Sequence, residues 1–237
     1  MLGCSILKGF SSMAFKHTVF AFAALLAGAS AQAQVGAAVT ADLGTTGAGF
    51  HIVVPMESTL NGRFGANYFK HDFDKRSGLV DYKLDGKLAT FDVLFDWYVI
   101  PQSNFRLTGG VLYNGTRFNA TGVPAAGGKF TFNGNTYSTT DIGSLKGDVT
   151  FRRAAPYIGI GWGNALTPNK RWNFGADIGA FYQGKAQVNL IPYGCTTSNA
   201  VCGKLASDVA VEELRLQDEA SDYKVYPVLR ATLSYSF

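Results

Sequence analysis

The sequence predicts an all-β fold, an eight-stranded antiparallel transmembrane β-barrel with a short helix in its last long loop. Segments of about ten residues alternate between apolar and polar side chains, as strands that cross a membrane do. The chain of 237 residues contains 28 glycines and 14% aromatic residues but only 16% charged residues. In the alternating segments, the few charges lie on the face opposite the apolar one. This composition excludes a disordered chain and carries less charge than an ordinary soluble domain.

The stretch 89–98 shows the alternation clearly. Its odd positions run from Ala89 to Trp97 and are apolar, whereas its even positions include Asp92 and Asp96. Two architectures produce this pattern: a secreted sandwich with one face in water, or a membrane barrel with lipid outside and a polar lumen inside. Aromatic residues at the ends of the apolar faces favour the barrel, because aromatic girdles mark the bilayer interfaces. The pattern recurs over 105–114, 154–162, 172–183 and 229–237.

The first 33 residues have the features of a secretory signal peptide. Two lysines precede a short apolar run over 19–27, which leads into an Ala-x-Ala cleavage site ending at Ala33. The apolar run is too short to span a bilayer as a helix. We therefore expect residues 1–33 to be removed on export and residues 34–237 to form the barrel, with cleavage after Ala31 as the alternative. Met13 is an alternative start, since the stretch that follows it is already a complete signal.

The number of strands fixes the topology. A barrel that begins and ends on the periplasmic side crosses the membrane an even number of times, and eight crossings leave an interior that side chains fill. The long connections 120–146 and 191–222 are expected to be extracellular, and the short ones, 99–104 and 163–171, periplasmic. The eight predicted strands lie near 35–42, 47–55, 60–73, 80–98, 105–119, 147–162, 172–190 and 223–237.

The final segment, 226–237, resembles the C-terminal assembly signal of Gram-negative outer-membrane barrels. Those barrels end in phenylalanine with an aromatic residue two positions earlier, which Phe237 and Tyr235 match, although Thr232 replaces the usual glycine. The wider layout, including 155–162, is similar to small OmpA/OmpW-type barrels of proteobacteria. The resemblance implies a place in the bacterial outer membrane, with outer-membrane lipid, lipopolysaccharide and the barrel assembly machinery as partners. It carries no catalytic motif.

If the apolar faces point outward, the charged side chains of the strands share a narrow lumen. Isolated buried charges are costly, so we expect these cations and anions to pair. Such a network would plug the barrel, whereas the alternative is a charged, selective conduit. Asp42 and His51 are further candidates for the lumen. The predicted network consists of Arg63, Asp92, Asp96, Arg106, Arg153, Asp177 and Arg230.

Cys195 and Cys202 are the cysteines that follow the signal peptide. They lie seven residues apart in a loop rich in Gly, Thr, Ser and Asn. An exported protein meets an oxidising compartment, so a disulfide between the two is expected. Metal ligation is the competing interpretation, and it is weaker because no histidine lies near them in the sequence.

The two long connections differ in composition. The stretch 204–222 is acidic with some residues at helical spacing, and Ser207 could cap a helix that begins there. We expect this helix to lie on the barrel rim as a solvated acidic surface, and binding of divalent cations that bridge lipopolysaccharide is the functional alternative. The connection 120–146 is rich in Gly, Thr and Asn and is expected to form a hairpin that projects outward.

These features predict a structural or surface-interaction role rather than an enzyme. We expect a monomer without cofactor or metal, whose activity resides in the connections 120–146 and 191–222. A nucleic-acid partner is not expected, because the formal charge is only +4 and the chain has no cluster of lysine and arginine. The alternatives are a narrow porin-like channel for small solutes and an outer-leaflet lipid-modifying enzyme. Against the enzyme, His51 lacks the His-x-Ser pattern of the deacylases.

Overall fold

A computed structural model describes residues 36–77, 80–100, 103–124, 128–138 and 141–237. The signal peptide predicted over 1–33 lies outside these residues. A single helix, α1 (Asn199–Ala220), is found in the described chain. The strands are β1 (Ala38–Gly44), β2 (Gly47–Glu57), β3 (Leu60–Ser77), β4 (Val80–Trp97), β5 (Phe105–Asn114), β6 (Arg117–Pro124), β7 (Lys129–Phe132), β8 (Asn135–Ser138), β9 (Ser144–Thr150), β10 (Ala154–Trp162), β11 (Trp172–Tyr182), β12 (Gln187–Tyr193) and β13 (Val225–Ser236).

Eight of these strands close into an antiparallel barrel, in the order β1, β2, β3, β4, β5, β10, β11 and β13. The barrel closes because β13 pairs with both β11 and β1, with Ser236 opposite Ala38 and Arg230 opposite Gly44. A closed barrel leaves no strand edge with unpaired backbone groups. This matters in lipid, because no water is present there to bond to such groups. The predicted fold class, an eight-stranded barrel with a helix in the last long connection, is confirmed.

Both ends of the described chain lie at the same end of the barrel as the short connections. The amide of Phe237 donates to the carbonyl of Ala37 at 3.0 Å, and the amide of Ser236 donates to the carbonyl of Arg171 at 2.8 Å. Arg171 belongs to the short connection 163–171. This end of the barrel is therefore the one that the sequence predicts to be periplasmic.

The predicted strands 105–119, 147–162 and 172–190 are each interrupted, and they form β5 and β6, β9 and β10, and β11 and β12. The interruptions occur where β4 changes partner, from β5 at Thr90 to β6 at Lys87. Beyond this level the described wall continues as a five-stranded sheet in the order β3, β4, β6, β9 and β12. The switch of β4 from one partner strand to another depends on contacts between strands that are distant in sequence. Alternation along one strand therefore does not reveal it.

The hairpin of β7 and β8 and the helix α1 stand on this five-stranded sheet, and we call them the cap together with the sheet strands β6, β9 and β12. The hairpin expected within 120–146 is present as β7 and β8. The hairpin and the helix pack together, and α1 also packs against β12. The cap therefore has an apolar core of its own, made of Phe130, Phe132, Tyr137, Ile142, Leu205 and Val209.

Helix α1 begins earlier than predicted and is 22 residues long. Ser198 is its N-cap, and the Ser198 hydroxyl accepts a hydrogen bond from the amide of Val201 at 3.4 Å. Ser207, the predicted cap, lies inside the helix, where its hydroxyl donates to the carbonyl of Gly203 at 3.2 Å. The predicted start was wrong because a serine hydroxyl can bond to the preceding turn as well as cap a helix.

The outer face of the barrel is apolar. Ile158 and Phe174 expose 74% and 78% of their surface, although both are large hydrophobic residues. Soluble proteins rarely expose a continuous apolar surface of this kind, and lipid is its natural surroundings. None of the helical structure in the described ranges has the length and apolar content to cross a membrane. Other exposed apolar residues of the barrel strands are Phe91, Phe95, Trp97, Val111, Tyr113, Ile160, Trp162, Trp172, Ile178, Leu229 and Leu233.

Candidate functional site

Four charged side chains form a closed set of ion pairs across the lumen. Arg63 on β3 contacts Asp96 on β4 and Asp177 on β11, each at 3.1 Å. Arg106 on β5 contacts the same two carboxylates, Asp177 at 2.8 Å and Asp96 at 3.4 Å. All four side chains are buried. Because β3 and β11 lie opposite each other in the barrel order, this set joins opposite sides of the wall.

The local sequence explains why these side chains can meet. Alternation along the strands turns Arg63, Asp96, Arg106 and Asp177 inward, while their chain neighbours face outward. A glycine on β10 leaves space for them, since a Cβ atom at Gly161 would lie 2.6 Å from Asp177 Oδ1 and 2.9 Å from Arg106 Cζ. Any larger residue at position 161 would displace the ion pairs.

A second set of charged groups lies in the lumen between β13, β4, β2 and β1. Arg230 Nη2 lies 3.4 Å from Asp92 Oδ2, and Asp92 Oδ1 lies 2.9 Å from His51 Nε2. The other ring nitrogen of His51 contacts Asp42, which also accepts a hydrogen bond from the Thr232 hydroxyl at 2.7 Å. All five residues are buried. The structure therefore brings the two further candidates, Asp42 and His51, into contact with predicted members of the network.

The charges of the two sets come close to balance. Together they contain three arginines and four aspartates, with the His51 ring between two of the carboxylates. When both nitrogens of His51 carry a proton, four cations face four carboxylates. Balanced pairs avoid the large free-energy cost of an unpaired charge in a poorly solvated interior. Ionic pairing therefore allows this lumen to bury three arginines and four aspartates together.

Arg153 joins neither set, and its predicted place in the lumenal network is wrong. Alternation counted back from β10 put Arg153 on the inner face, but β10 begins only at Ala154, after the interruption in the wall. The Arg153 side chain is exposed and lines a cavity at that interruption. The six other predicted members lie in the two sets: Arg63, Asp92, Asp96, Arg106, Asp177 and Arg230.

An apolar cluster, which the sequence pattern did not predict, fills another part of the lumen. Along β5 and β11, Leu112 and Phe181 lie farther from the periplasmic end than Arg106 and Asp177 do. The sequence does contain one sign of this cluster: inward positions such as Leu112 are apolar, whereas a polar residue is typical of the inner face of a membrane barrel. The buried members of the cluster are Leu94, Leu112, Ala155, Tyr157, Phe181 and Val228.

Little free space remains beside the first set of ion pairs. A cavity of about 20 Å³ is bordered by Arg63, Asp96 and Arg106 together with Tyr98 and Ser234. This volume holds about one water molecule. A larger solute would have to displace the ion pairs at this level of the barrel.

The cap carries the predicted disulfide. Cys195 and Cys202 are bonded, with their Cα atoms 5.9 Å apart. Cys202 lies in the first turn of α1, so the bond ties the start of the helix to the segment that leaves β12. In the part of the chain that the structure describes, no group of three or more His, Cys, Asp or Glu side chains is arranged to hold a metal ion.

Tyr235 and Phe237 lie together at the end of the barrel predicted to be periplasmic. Their ring centroids are 5.3 Å apart with the rings edge to face, and Tyr235 contacts Trp172 at 4.9 Å in the same manner. Aromatic residues are expected at this position in a membrane barrel, because it corresponds to the bilayer interface. Recognition of these two residues by the assembly machinery stays a prediction.

The barrel resembles known outer-membrane proteins in its structure, although its sequence matches no protein-family model. No curated protein matches the sequence either. The crystal structure of Acinetobacter baumannii CarO2 matches with a TM-score of 0.55 at 18% identity, over 86% of this chain and 99% of that one. The structure of A. baumannii CarO matches with a TM-score of 0.51 at 20% identity, over 86% and 97% of the two chains. The chain has the fold of an outer-membrane β-barrel.

A major outer membrane protein from Thermus thermophilus also matches, with a TM-score of 0.40 at 15% identity over 85% of this chain and 99% of that one. At such identities the comparisons with CarO2 and CarO establish the fold of the outer-membrane barrel.

Proposed function

We propose that the protein resides in the bacterial outer membrane as a closed barrel that anchors a cap at the cell surface. Its lumen is a structural plug, and its activity is a surface interaction made by the cap, within 120–146 and 191–222. The observation that carries this proposal is the closed set of ion pairs that two arginines and two aspartates form between opposite sides of the barrel.

Passage of a solute would have to separate these buried ion pairs. Removing one partner of a buried pair costs about 3–5 kcal/mol, and here Asp177 has two partners. An eight-stranded barrel has an interior just wide enough for side chains to fill, which leaves little space for them to move aside. Both considerations support a lumen that stabilises the barrel and does not conduct.

The cap has the properties of a binding surface. Its own apolar core gives it a defined shape. Helix α1 carries five acidic and two basic residues, and Val211 and Leu214 are exposed on it, three residues apart. An acidic surface with exposed apolar side chains supports contact with a partner that is basic and partly apolar.

We also propose how the barrel reaches the outer membrane and what surrounds it there. Residues 1–33 direct export, and Tyr235 and Phe237 are recognised by the barrel assembly machinery. Outer-membrane lipid and lipopolysaccharide surround a monomeric barrel. The apolar outer face supports the contact with lipid, and the closed strand order supports a monomer because no strand edge of the barrel needs a partner chain.

Single-channel recording in planar bilayers tests the closed lumen, with heat-modifiable gel mobility as the measure of folding. We expect the folded protein to give no steady openings. The variant Arg106→Ala/Asp177→Ala/Leu112→Ala/Phe181→Ala removes side chains both from the ion-pair set and from the apolar cluster above it, so it should open a path and conduct. Arg215→Ala, which removes an exposed cation from α1, is the control and should stay silent. Steady openings by the unaltered protein would overturn the proposal.

A further inference from the structure

A basic cavity lies where the strands of the barrel wall are interrupted. Its volume is about 430 Å³. It lies between the ends of β5, β6, β9, β10 and β12, at the level where β4 changes partner. We define this basic cavity by its four cationic residues and four of their neighbours: Lys87, Arg117, Arg152, Arg153, Tyr113, Asn114, Thr116 and Gln187.

The cavity opens on the outer face of the wall, next to the lipid-facing surface. Lys87 is an odd-numbered residue of β4 and points to the same side as the exposed Phe91. Arg117 is the cross-strand partner of Lys87, so it shares that face. Tyr113 is half exposed on the neighbouring strand end, and the Lys87 ammonium lies 5.8 Å from the centre of the Tyr68 ring. Lys87 and Arg117 thus lie directly beyond the aromatic edge of the apolar belt.

The cations of the cavity have no carboxylate partners. Within the described ranges, none of Lys87, Arg117, Arg152 and Arg153 forms an ion pair, whereas each lumenal arginine does. The nearest outward carboxylates of this sheet lie one residue pair farther from the barrel, in the row that contains Asp85. Four unpaired cations grouped around one cavity create a strongly positive potential there, which attracts an anion.

A buried amide lies beside the cavity. Asn114 is only 2% exposed and lines the cavity. Its Oδ1 accepts a hydrogen bond from the amide of Thr116 at 3.1 Å, but its Nδ2 has no partner. Buried donors normally have an acceptor, because leaving one unpaired is costly. This donor is closed off from solvent, so the ligand of the cavity is set by its four cations, which a group rich in acceptor oxygens would satisfy.

We propose that the basic cavity binds the phosphate group of an anionic lipid headgroup in the outer leaflet. Arginine and lysine bind phosphate through charge-assisted hydrogen bonds, and the cavity has four such cations. A lipid suits the site better than free phosphate, because acyl chains attached to the headgroup would lie along the apolar belt beside Tyr113 and Phe91. The inference rests on the proposed place in the outer membrane and is independent of whether the lumen conducts.

Native mass spectrometry of the folded protein, released from micelles, tests the site. The probes are lipid A carrying two phosphates, the same lipid with its phosphates removed, and inorganic phosphate alone. We expect retention of the phosphorylated lipid and about tenfold weaker retention in Arg152→Gln/Arg153→Gln, since removing a charge-assisted hydrogen bond weakens binding by about tenfold or more. The matched control is Lys170→Gln/Arg171→Gln, which makes the same change of charge at the opposite end of the barrel and should bind as the unaltered protein does.

Heat-modifiable mobility first identifies the variants that fold as barrels, so weaker lipid retention by a folded variant reports on the cavity. Arg117→Gln is the second variant if the double variant does not fold, and it should also weaken retention. Equal retention by the cavity variants and the control would overturn the site. Equal retention of both lipids would overturn the phosphate as its ligand, and saturation by inorganic phosphate with no preference for the lipid would overturn the headgroup. A protein that fails to form a barrel in any lipid would contradict the proposed function instead.

Discussion

The barrel and the cap differ in what they bury and in what they expose, although one chain forms both. The barrel buries Arg63 and Asp177 and exposes Phe174, whereas the cap buries Phe130 and Leu205 beneath a largely polar surface. The difference follows from the surroundings, because lipid accepts apolar side chains on the outside and water does not. The lumen also buries an apolar cluster around Leu112 and Phe181, but its two sets of buried ion pairs have no counterpart among the described residues of the cap's core.

Asp208 is a buried carboxylate of the cap, and its hydrogen bonds differ in kind from those of the lumenal carboxylates. Asp208 accepts hydrogen bonds from the Tyr137 hydroxyl and from the side-chain amides of Asn133 and Asn135, the latter two at 3.1 and 2.8 Å. Neutral donors therefore surround this carboxylate, whereas cations surround the lumenal ones. Neutral donors suffice near water, while a carboxylate deep in the barrel needs a full countercharge.

The largest expected effect comes from breaking the lumenal network at its shared carboxylate. Asp177→Ala leaves Arg63 and Arg106 buried with Asp96 as their common partner, so we expect the free energy of unfolding to fall by about 3–5 kcal/mol. Equilibrium unfolding in urea from lipid vesicles measures it. Asp218→Ala removes an exposed carboxylate from α1 and should change the value by less than about 0.5 kcal/mol. Similar losses in the two variants would contradict the difference between the regions.

A smaller effect, confined to the cap, is expected from a cavity in its core. Leu205 is 1% exposed, and Leu205→Ala should destabilise the cap locally by about 2–5 kcal/mol. Limited proteolysis should then cut the cap faster, while the heat-modifiable mobility of the barrel stays unchanged. Leu214→Ala, at an exposed position of the same helix, should leave the cleavage rate unaltered. Loss of the folded barrel band in Leu205→Ala would show that the two regions do not fold separately.

The smallest effect is a pH dependence of the cap alone. The hydrogen bonds from Tyr137, Asn133 and Asn135 hold the pKa of Asp208 below its ordinary value of 3.8. Burial, with the hydrogen bond to Asp208, raises the pKa of Tyr137 from 10.0 to about 12. The contribution of Asp208 to stability is therefore present above pH 3.8 and is lost as the pH falls through the lowered pKa. That of Tyr137 is present below pH 10 and is lost as the pH rises towards 12.

Near-ultraviolet circular dichroism of the aromatic core measures both limits of this pH dependence. Tyr137→Phe should abolish the loss of structure between pH 10 and 12 while keeping the loss in acid, because Asn133 and Asn135 still contact Asp208. An unchanged alkaline transition in Tyr137→Phe would mean that another group causes it.

Much of the barrel could be predicted from the sequence, because the bilayer constrains every residue of a spanning strand. Alternation was enough to turn Asp96, Arg106 and Asp177 into the lumen. It could not give the contacts between them, since alternation specifies the face of a residue but not its height relative to strands that are distant in sequence. Arg153 was misplaced for the same reason, because the change of partner that interrupts the wall is not a local property of β10.

The cap was less predictable because water on its outside imposes a weaker pattern on short segments. Phe130 and Tyr137 could be identified as part of a hairpin, but nothing in their spacing indicates that Leu205 completes their core from some seventy residues away. The helix start at Ser198 was missed because Ser207 offers the same capping chemistry. The basic cavity was missed altogether, since it is formed by the ends of several interrupted strands and has no continuous motif.

The three interruptions lie at one level of the wall, and the long connections beyond that level affect the entropy of closing the barrel. β5 and β10 pair across 39 intervening residues, and β11 and β13 pair across 42, whereas two residues join β2 and β3. The cost of closing a flexible loop grows only with the logarithm of its length, so each long connection adds about 2–3 kcal/mol over a short one even when the cap is unfolded. The wall can therefore keep its register while the surface segments lengthen, change sequence or come apart.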